Sequence, residues 1–149
     1  MTTTRLANIA DLNQISTLFD AYRQFYAQSA DIDLAKSFIS QRLTNLDSVI
    51  LIAQDESQNL IGFCQIYPSF CSVIAAKIGV LYDLFVLESA RKTGIGRALM
   101  MAAHNYAANN GMARLDLTTA KNNLTAQALY DSLGWVRDDV FYAYSKTIT

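Results

Sequence analysis

A strand-like run, a glycine-containing loop, a helix-like run and a second strand-like run follow one another from residue 81 to residue 118, and this succession constrains the fold more than any other feature. The first run is Leu81-Tyr82-Asp83-Leu84-Phe85-Val86, the loop is Arg91-Lys92-Thr93-Gly94-Ile95-Gly96-Arg97, the helical patterning covers residues 98–109, and the second strand is Arg114-Leu115-Asp116-Leu117-Thr118. Two strands joined through a helix return in the same direction and pair in parallel. Gly111 stops the helix.

The loop carries chemistry as well as topology. At a strand-to-helix junction, a glycine-containing loop presents several backbone N–H groups without side-chain obstruction, and the aligned peptide dipoles favour an anion there. Arg91, Lys92 and Arg97 add positive charge at its rim, which suits a pyrophosphate. A dinucleotide fingerprint would require Gly or Ala where Leu99 stands, and a P-loop would require Gly-Lys followed by Ser or Thr where Gly96-Arg97-Ala98 stands.

What remains is Arg-x-x-Gly-x-Gly, which resembles the acyl-CoA pyrophosphate loop of the GNAT N-acetyltransferase superfamily. Downstream, Asn123-Leu124-Thr125-Ala126-Gln127-Ala128-Leu129-Tyr130 and the following Gly134-Trp135 are similar to that superfamily's Asn-x-x-Ala-x-x-Leu-Tyr motif ending in Gly and an aromatic residue. The two motifs stand in the family's order. The resemblance implies an α/β fold with a central mixed, mostly antiparallel sheet and helices on both faces, formed by residues 1–149 as a single domain. It implies acetyl-CoA as cosubstrate and no metal. Arg91, Lys92, Thr93, Gly94, Ile95, Gly96 and Arg97 would cradle the pyrophosphate. The backbone of Leu84, Phe85 and Val86 would pair with the pantetheine, and Asn123 would cap its helix and reach the pantetheine arm.

The remaining elements are read from patterning. Residues 3–8 form a short strand, and Asp11 caps a helix carrying Leu12, Ile15, Leu18, Phe19 and Tyr22 at helical spacing. Asp33 caps a second helix through Phe38, Ile39 and Leu43. Residues 49–54 and 60–67 form an antiparallel hairpin across a polar turn. A final helix covers residues 123–133, Gly134 takes its left-handed C-terminal position, and residues 141–147 alternate like a closing strand.

Composition excludes several function classes. A length of 149 residues, 52% hydrophobic, suits one domain with a sizeable core. Net charge is −1 with scattered basic residues, which argues against nucleic acid as the principal partner. The chain has no run of about eighteen apolar residues, and its first residues lack the apolar stretch of a signal peptide, so no membrane association and a cytoplasmic location are expected. Cys64, Cys71 and the single His104 support neither a zinc site nor a disulfide framework.

Acetyl transfer from a thioester to an amine needs no covalent enzyme intermediate. It needs near-attack positioning, removal of a proton from the amine and supply of one to the departing thiolate. In the resemblance, Tyr130 supplies that proton; packing of its ring is the alternative. Asp83 lies in an apolar strand and must have a partner or face a cleft; a base acting through water and a structural hydrogen-bonding role both remain open. Some polyamine-acetylating relatives place a glutamate where Tyr82 stands. Tyr22, Tyr26, Tyr82 and Asp31 lie on elements that border the acceptor cleft in the family, and aromatic faces with carboxylates suit a cationic amine. The resulting reading is an acetyl-CoA-dependent N-acetyltransferase whose acceptor is a polyamine, a lysine-like small amine, an aminoglycoside or a protein amine, with a homodimer expected from family habit. The rivals are a non-catalytic acyl-CoA sensor and a nucleotide-binding protein using the same loop.

Overall fold

Apolar residues at helical spacing wind into α1 (Leu12–Phe25), and α2 (Ile32–Asn45) packs beside it. In the computed structural model, which describes all 149 residues, these helices cover one face of a sheet ordered β1-β2-β3-β4-β5. The strands are β1 (Thr3–Leu6), β2 (Val49–Gln54), β3 (Leu60–Cys71), β4 (Ala76–Val86) and β5 (Leu115–Asp116). Strands β1 to β4 are antiparallel neighbours, and β5 runs parallel to β4 after the crossover through α3 (Ile95–Asn109). The mixed, mostly antiparallel sheet expected from the sequence is therefore present.

Alternation along the strands decides which helix each residue meets. Ile50, Ile52, Phe63 and Phe85 join Ile15, Leu18, Phe19, Ala35 and Ile39 in the α1–α2 core. Cys64, the neighbour of Phe63, points the other way, and its thiol donates weakly to the carbonyl of Leu99 on α3 at 3.8 Å. Phe63 meets Phe19 and Tyr22 edge-on and Phe85 tilted, Tyr22 meets Phe85 edge-on, and Phe19 stacks on Tyr22, at centroid separations of 5.7 to 6.4 Å, contacts each worth about 0.5–1.5 kcal/mol beyond burial.

Several expected boundaries move. Asp11 does not cap α1 with its side chain. Asn8 instead caps the short 3₁₀ turn Ile9–Asp11, its Oδ1 accepting from the Ala10 N–H at 2.9 Å, and the Asp11 carboxylate is taken by Arg5 through two 2.8 Å hydrogen bonds. The cap of α2 is Asp31 rather than Asp33, its Oδ1 accepting from the Leu34 N–H at 3.0 Å. Strands β3 and β4 are longer than apolar patterning suggests, because their outer ends pair with each other in a second hairpin, from Pro68↔Gly79 to Cys71↔Ala76. The helix α3 starts three residues earlier than residue 98, and β1 and β5 are shorter than expected.

The chain divides into two compact units, Met1–Thr118 and Thr119–Thr149. Within the second, α4 (Leu124–Ser132) is followed by Gly134 in the left-handed conformation, as expected. The closing strand expected over residues 141–147 does not form: Phe141 is 80% and Tyr144 93% exposed, and no strand pairs with this stretch. Alternation states which residues a pleated surface would bury, but strand preference is realised through a neighbour's hydrogen bonds and side chains. No helix is long and apolar enough to cross a membrane.

Candidate active site

The strands β4 and β5 pair at only Gly79↔Leu115 and Val80↔Asp116. Past Val80, residues 81–86 of β4 keep their place against β3 but have no partner on β5, so the backbone groups of Leu84, Phe85 and Val86 that face the β5 side lie outside the sheet ladder. Such an edge offers main-chain donors and acceptors to an extended ligand. The segment expected to bind pantetheine, residues 84–86, lies along this edge.

Beyond the strand, Lys92 (φ 62°) and Gly94 (φ 85°) are both left-handed and curl the loop ahead of α3. Gly94 occupies the N-cap position of α3, and no side chain caps the helix start. The first intrahelical bond of this turn is Ala98 N–H to the Gly94 carbonyl at 3.0 Å, so the N–H groups of the first turn have no acceptor within the helix. An uncapped helix start in a curled loop fits a phosphate. Thr93 ties the loop back through its hydroxyl to the Ala90 carbonyl at 2.6 Å. Arg91 is anchored: its Nε donates to the Val86 carbonyl at 2.9 Å, and its guanidinium lies 5.5 Å from the Phe25 ring centre and 5.6 Å from that of Phe85. It joins the end of α1 to the end of β4.

Just before Leu84, the register of β4 slips. Gln65 pairs with Asp83 and Ile66 with Leu81, leaving Tyr82 as an extra residue in a β-bulge. Tyr82 is 69% exposed and its ring meets that of Tyr67 edge-on at 5.7 Å. Asp83 is 5% exposed. Its carboxylate accepts from the Gln65 side-chain amide at 2.8 Å, and the Tyr22 phenol interacts with it electrostatically. Burial raises the Asp83 carboxyl above the usual carboxylate range, against the lowering effect of Gln65 and Tyr22. Burial and the adjacent Asp83 carboxylate raise the Tyr22 phenol well above its ordinary value, and the Tyr67 phenol is pushed up to about 12 by burial first and Asp83 second. A carboxyl raised by burial among neutral phenols is what a base for an ammonium ion requires.

The first unit thus brings Tyr22, Tyr82 and Asp83 together, with Tyr26 next to Tyr22 at 5.1 Å between ring centres. Asp31 has a structural duty as the cap of α2, and its own N–H donates to the buried Asp20 carboxylate at 3.0 Å. Asn123 and Tyr130 belong to the second unit. Asn123 caps α4, its Oδ1 accepting from the Ala126 N–H at 3.2 Å, and the Tyr130 ring lies against Trp135 at 6.2 Å. Gln65 is a member of the site that sequence reasoning misses. The available signal is its likeness to Asp83: each is the polar residue of an apolar run, and polar residues buried in neighbouring strands find one another. No group of three or more His, Cys, Asp or Glu residues could hold a metal ion.

Residues 12–135 match the family model described as Acetyltransferase (GNAT) family. The chain is 43% identical over 144 residues, covering 97% of this chain and 96% of the relative, to the uncharacterized N-acetyltransferase YhfO of Bacillus subtilis (strain 168). It is 34% identical over 105 residues to a probable acetyltransferase of Haemophilus influenzae, covering 70% of this chain and 72% of that one. Among solved structures, a probable acetyltransferase superposes with a TM-score of 0.92 at 32% identity over 99% of this chain and 98% of its own. The fold is also that of the aminoglycoside acetyltransferase AAC(6')-Iy, solved with the bisubstrate analog CoA-S-monomethyl-acetylneamine, with a TM-score of 0.81 at 20% identity over 99% of both chains.

Proposed function

The chain belongs to the GNAT acetyltransferase family and is an acetyl-CoA-dependent N-acetyltransferase, and from this premise we propose that it acetylates a small cationic primary amine, polyamine-like or lysine-like, by direct transfer. The observation that carries the proposal is the buried Asp83 carboxylate, hydrogen-bonded by Gln65, coupled electrostatically to Tyr22 and next in the chain to the exposed Tyr82 at the β4 bulge.

Acetyl-CoA supplies the activated acyl thioester; the chain supplies position and proton traffic. The β5-side edge of β4 over residues 84–86, where the Val86 carbonyl already accepts from Arg91 Nε, holds the pantetheine through its remaining main-chain groups, and the curled loop from Lys92 to Arg97 receives the pyrophosphate on its N–H groups. Tyr22, Tyr26 and Tyr82 offer ring faces to the ammonium, which favour a cation by about 0.5–2 kcal/mol each depending on desolvation. An alkylamine has an unperturbed pKa of about 10 and arrives protonated. Asp83 attracts it and takes its proton, directly or through one water, leaving a neutral nitrogen competent to attack. Tyr130 donates a proton to the departing thiolate, and Asn123 caps the helix that carries it.

Thiol release from acetyl-CoA across a panel of polyamines, lysine-like amines, aminoglycosides and peptide amines tests this reading. Release that depends on a small cationic amine supports it, and Tyr130→Phe should then lower kcat about a hundredfold or more with coenzyme affinity unchanged. Tight acetyl-CoA binding with no amine-dependent release from any member would refute turnover and leave the sensor reading.

A further inference from the structure

The Asp83 carboxylate does not end its own network. Gln65, 0% exposed, spends both ends of its side-chain amide: Nε2 donates to Asp83 Oδ2 at 2.8 Å, and Oε1 accepts from the Ser48 hydroxyl at 2.7 Å. We propose that Gln65 and Ser48 are positioning residues for the acetyl transfer, Ser48 fixing which way round the Gln65 amide lies so that its NH₂ clamps the Asp83 carboxylate as an acceptor. This rests on the reading of Asp83 as the base.

The logic is one of donors and acceptors. An ionised carboxylate only accepts, an amide donates at nitrogen and accepts at oxygen, and a hydroxyl does either. With Asp83 ionised, nitrogen must face it, so oxygen faces Ser48 and Ser48 must donate. Turned over, the amide would set its oxygen against a buried carboxylate, which costs the full desolvation of both groups. Amide orientation and Asp83 ionisation are therefore one coupled state.

The outer end of this chain is held by the turn before β2. There Leu46 is left-handed at φ 53° and ends α2, and Asp47 accepts from Arg42 Nε at 2.7 Å, which places Ser48 at the mouth of β2 within reach of Gln65. Around Asp83, Tyr22 of α1 and Cys64 and Tyr67 of β3 interact with it electrostatically; Tyr26 and Tyr82 act on Tyr22, and Arg42 and Asp47 on Tyr67. Tyr22, Cys64 and Tyr67 are all pushed above their ordinary values, foremost by burial. Of the groups named, only Asp83 and Asp47 are carboxyls, and Gln65 donates to Asp83 while Arg42 donates to Asp47, so an acid-range titration that responds to Gln65 belongs to Asp83.

The test follows the Asp83 carboxyl by ¹³C NMR titration in coenzyme-free protein, beside the pH profile of kcat/KM. Gln65→Leu removes the donor, and the Asp83 midpoint should move up by about one pH unit or more. Ser48→Ala should move it in the same direction by less, and Ser48→Thr should restore it; this pair carries the test if Gln65→Leu does not fold. The acid limb of kcat/KM should rise with the midpoint, costing roughly tenfold in kcat/KM below the limb for each pH unit. An Asp83 midpoint that stays put in folded Gln65→Leu and Ser48→Ala overturns the inference whatever the activity. A midpoint that moves while the acid limb does not supports the clamp and refutes Asp83 as the base.

Discussion

Replacing Gly94 by alanine should weaken coenzyme binding through the backbone alone. Gly94 sits at φ 85°, and a Cβ built there meets nothing within 4 Å, so the substitution adds no clash and its cost is the left-handed penalty of an L-residue, about 1–2 kcal/mol. Gly111, just past α3, has φ 70° and an equally open Cβ position, which makes Gly111→Ala a matched control with the same penalty away from the loop. For a chain of this length that penalty lowers Tm by about 2–8 °C; Gly111→Ala should show a loss in this range by calorimetry, and Gly94→Ala a smaller one to the extent that its loop relaxes. They should part on affinity. If the loop relieves strain by leaving the left-handed conformation, acetyl-CoA must restore it, and Kd rises by about 5- to 30-fold for the same 1–2 kcal/mol. Titration calorimetry with acetyl-CoA should show this rise for Gly94→Ala and no change for Gly111→Ala. Equal affinity in both variants, with Gly94→Ala as stable as the wild type because its loop has relaxed, would refute the pyrophosphate role of this loop.

Asp83→Asn should separate activity from stability. Loss of the base lowers kcat/KM by about 10²–10⁴ at every pH. A raised folded pKa means that the wild type loses stability as pH rises from 3.8 through the folded value, so Asp83→Asn, free of that loss, should unfold at a higher denaturant concentration than the wild type at pH 8. A variant that is less stable there, or within about tenfold of wild-type activity, contradicts the assignment. Asp11 behaves in the opposite sense. The Arg5 guanidinium holds its carboxyl below the usual range, so that contribution is present above 3.8 and disappears as pH falls through the lower folded value. Asp11→Asn should therefore be less stable than wild type at pH 7, with the gap in urea midpoint closing on acidification; a gap that does not change with pH rules the pairing out as its source.

The glycine loop, the parallel crossover and the helix cap at Asn123 are legible in the sequence because each depends on residues close in the chain. Gly94 is left-handed for a local reason, and Asn123 caps the turn that follows it. What escapes such a reading depends on partners distant in sequence. Asp31 caps α2 in place of Asp33, and its N–H is also bound by Asp20, eleven residues upstream on α1. Arg91 reads as a rim cation in a list of charges, but Phe25, Phe85 and the Val86 carbonyl are what hold it. Gln65 becomes meaningful once the register sets it opposite Asp83, eighteen positions away. Residues 141–147 show the converse, a periodic pattern without a neighbour to realise it.

Tyr82, as the extra residue between two regular pairings, has no backbone partner on β3, only the edge-on contact of its ring with Tyr67. Its neighbours do: Leu81 and Asp83 each answer to a partner on β3, and exchanging either disturbs two strands at once. In the acceptor site proposed above, a side chain with no backbone partner can change size or charge while the strand on both sides of it stays in phase, so selectivity for the amine would drift at position 82 without the fold being asked to follow.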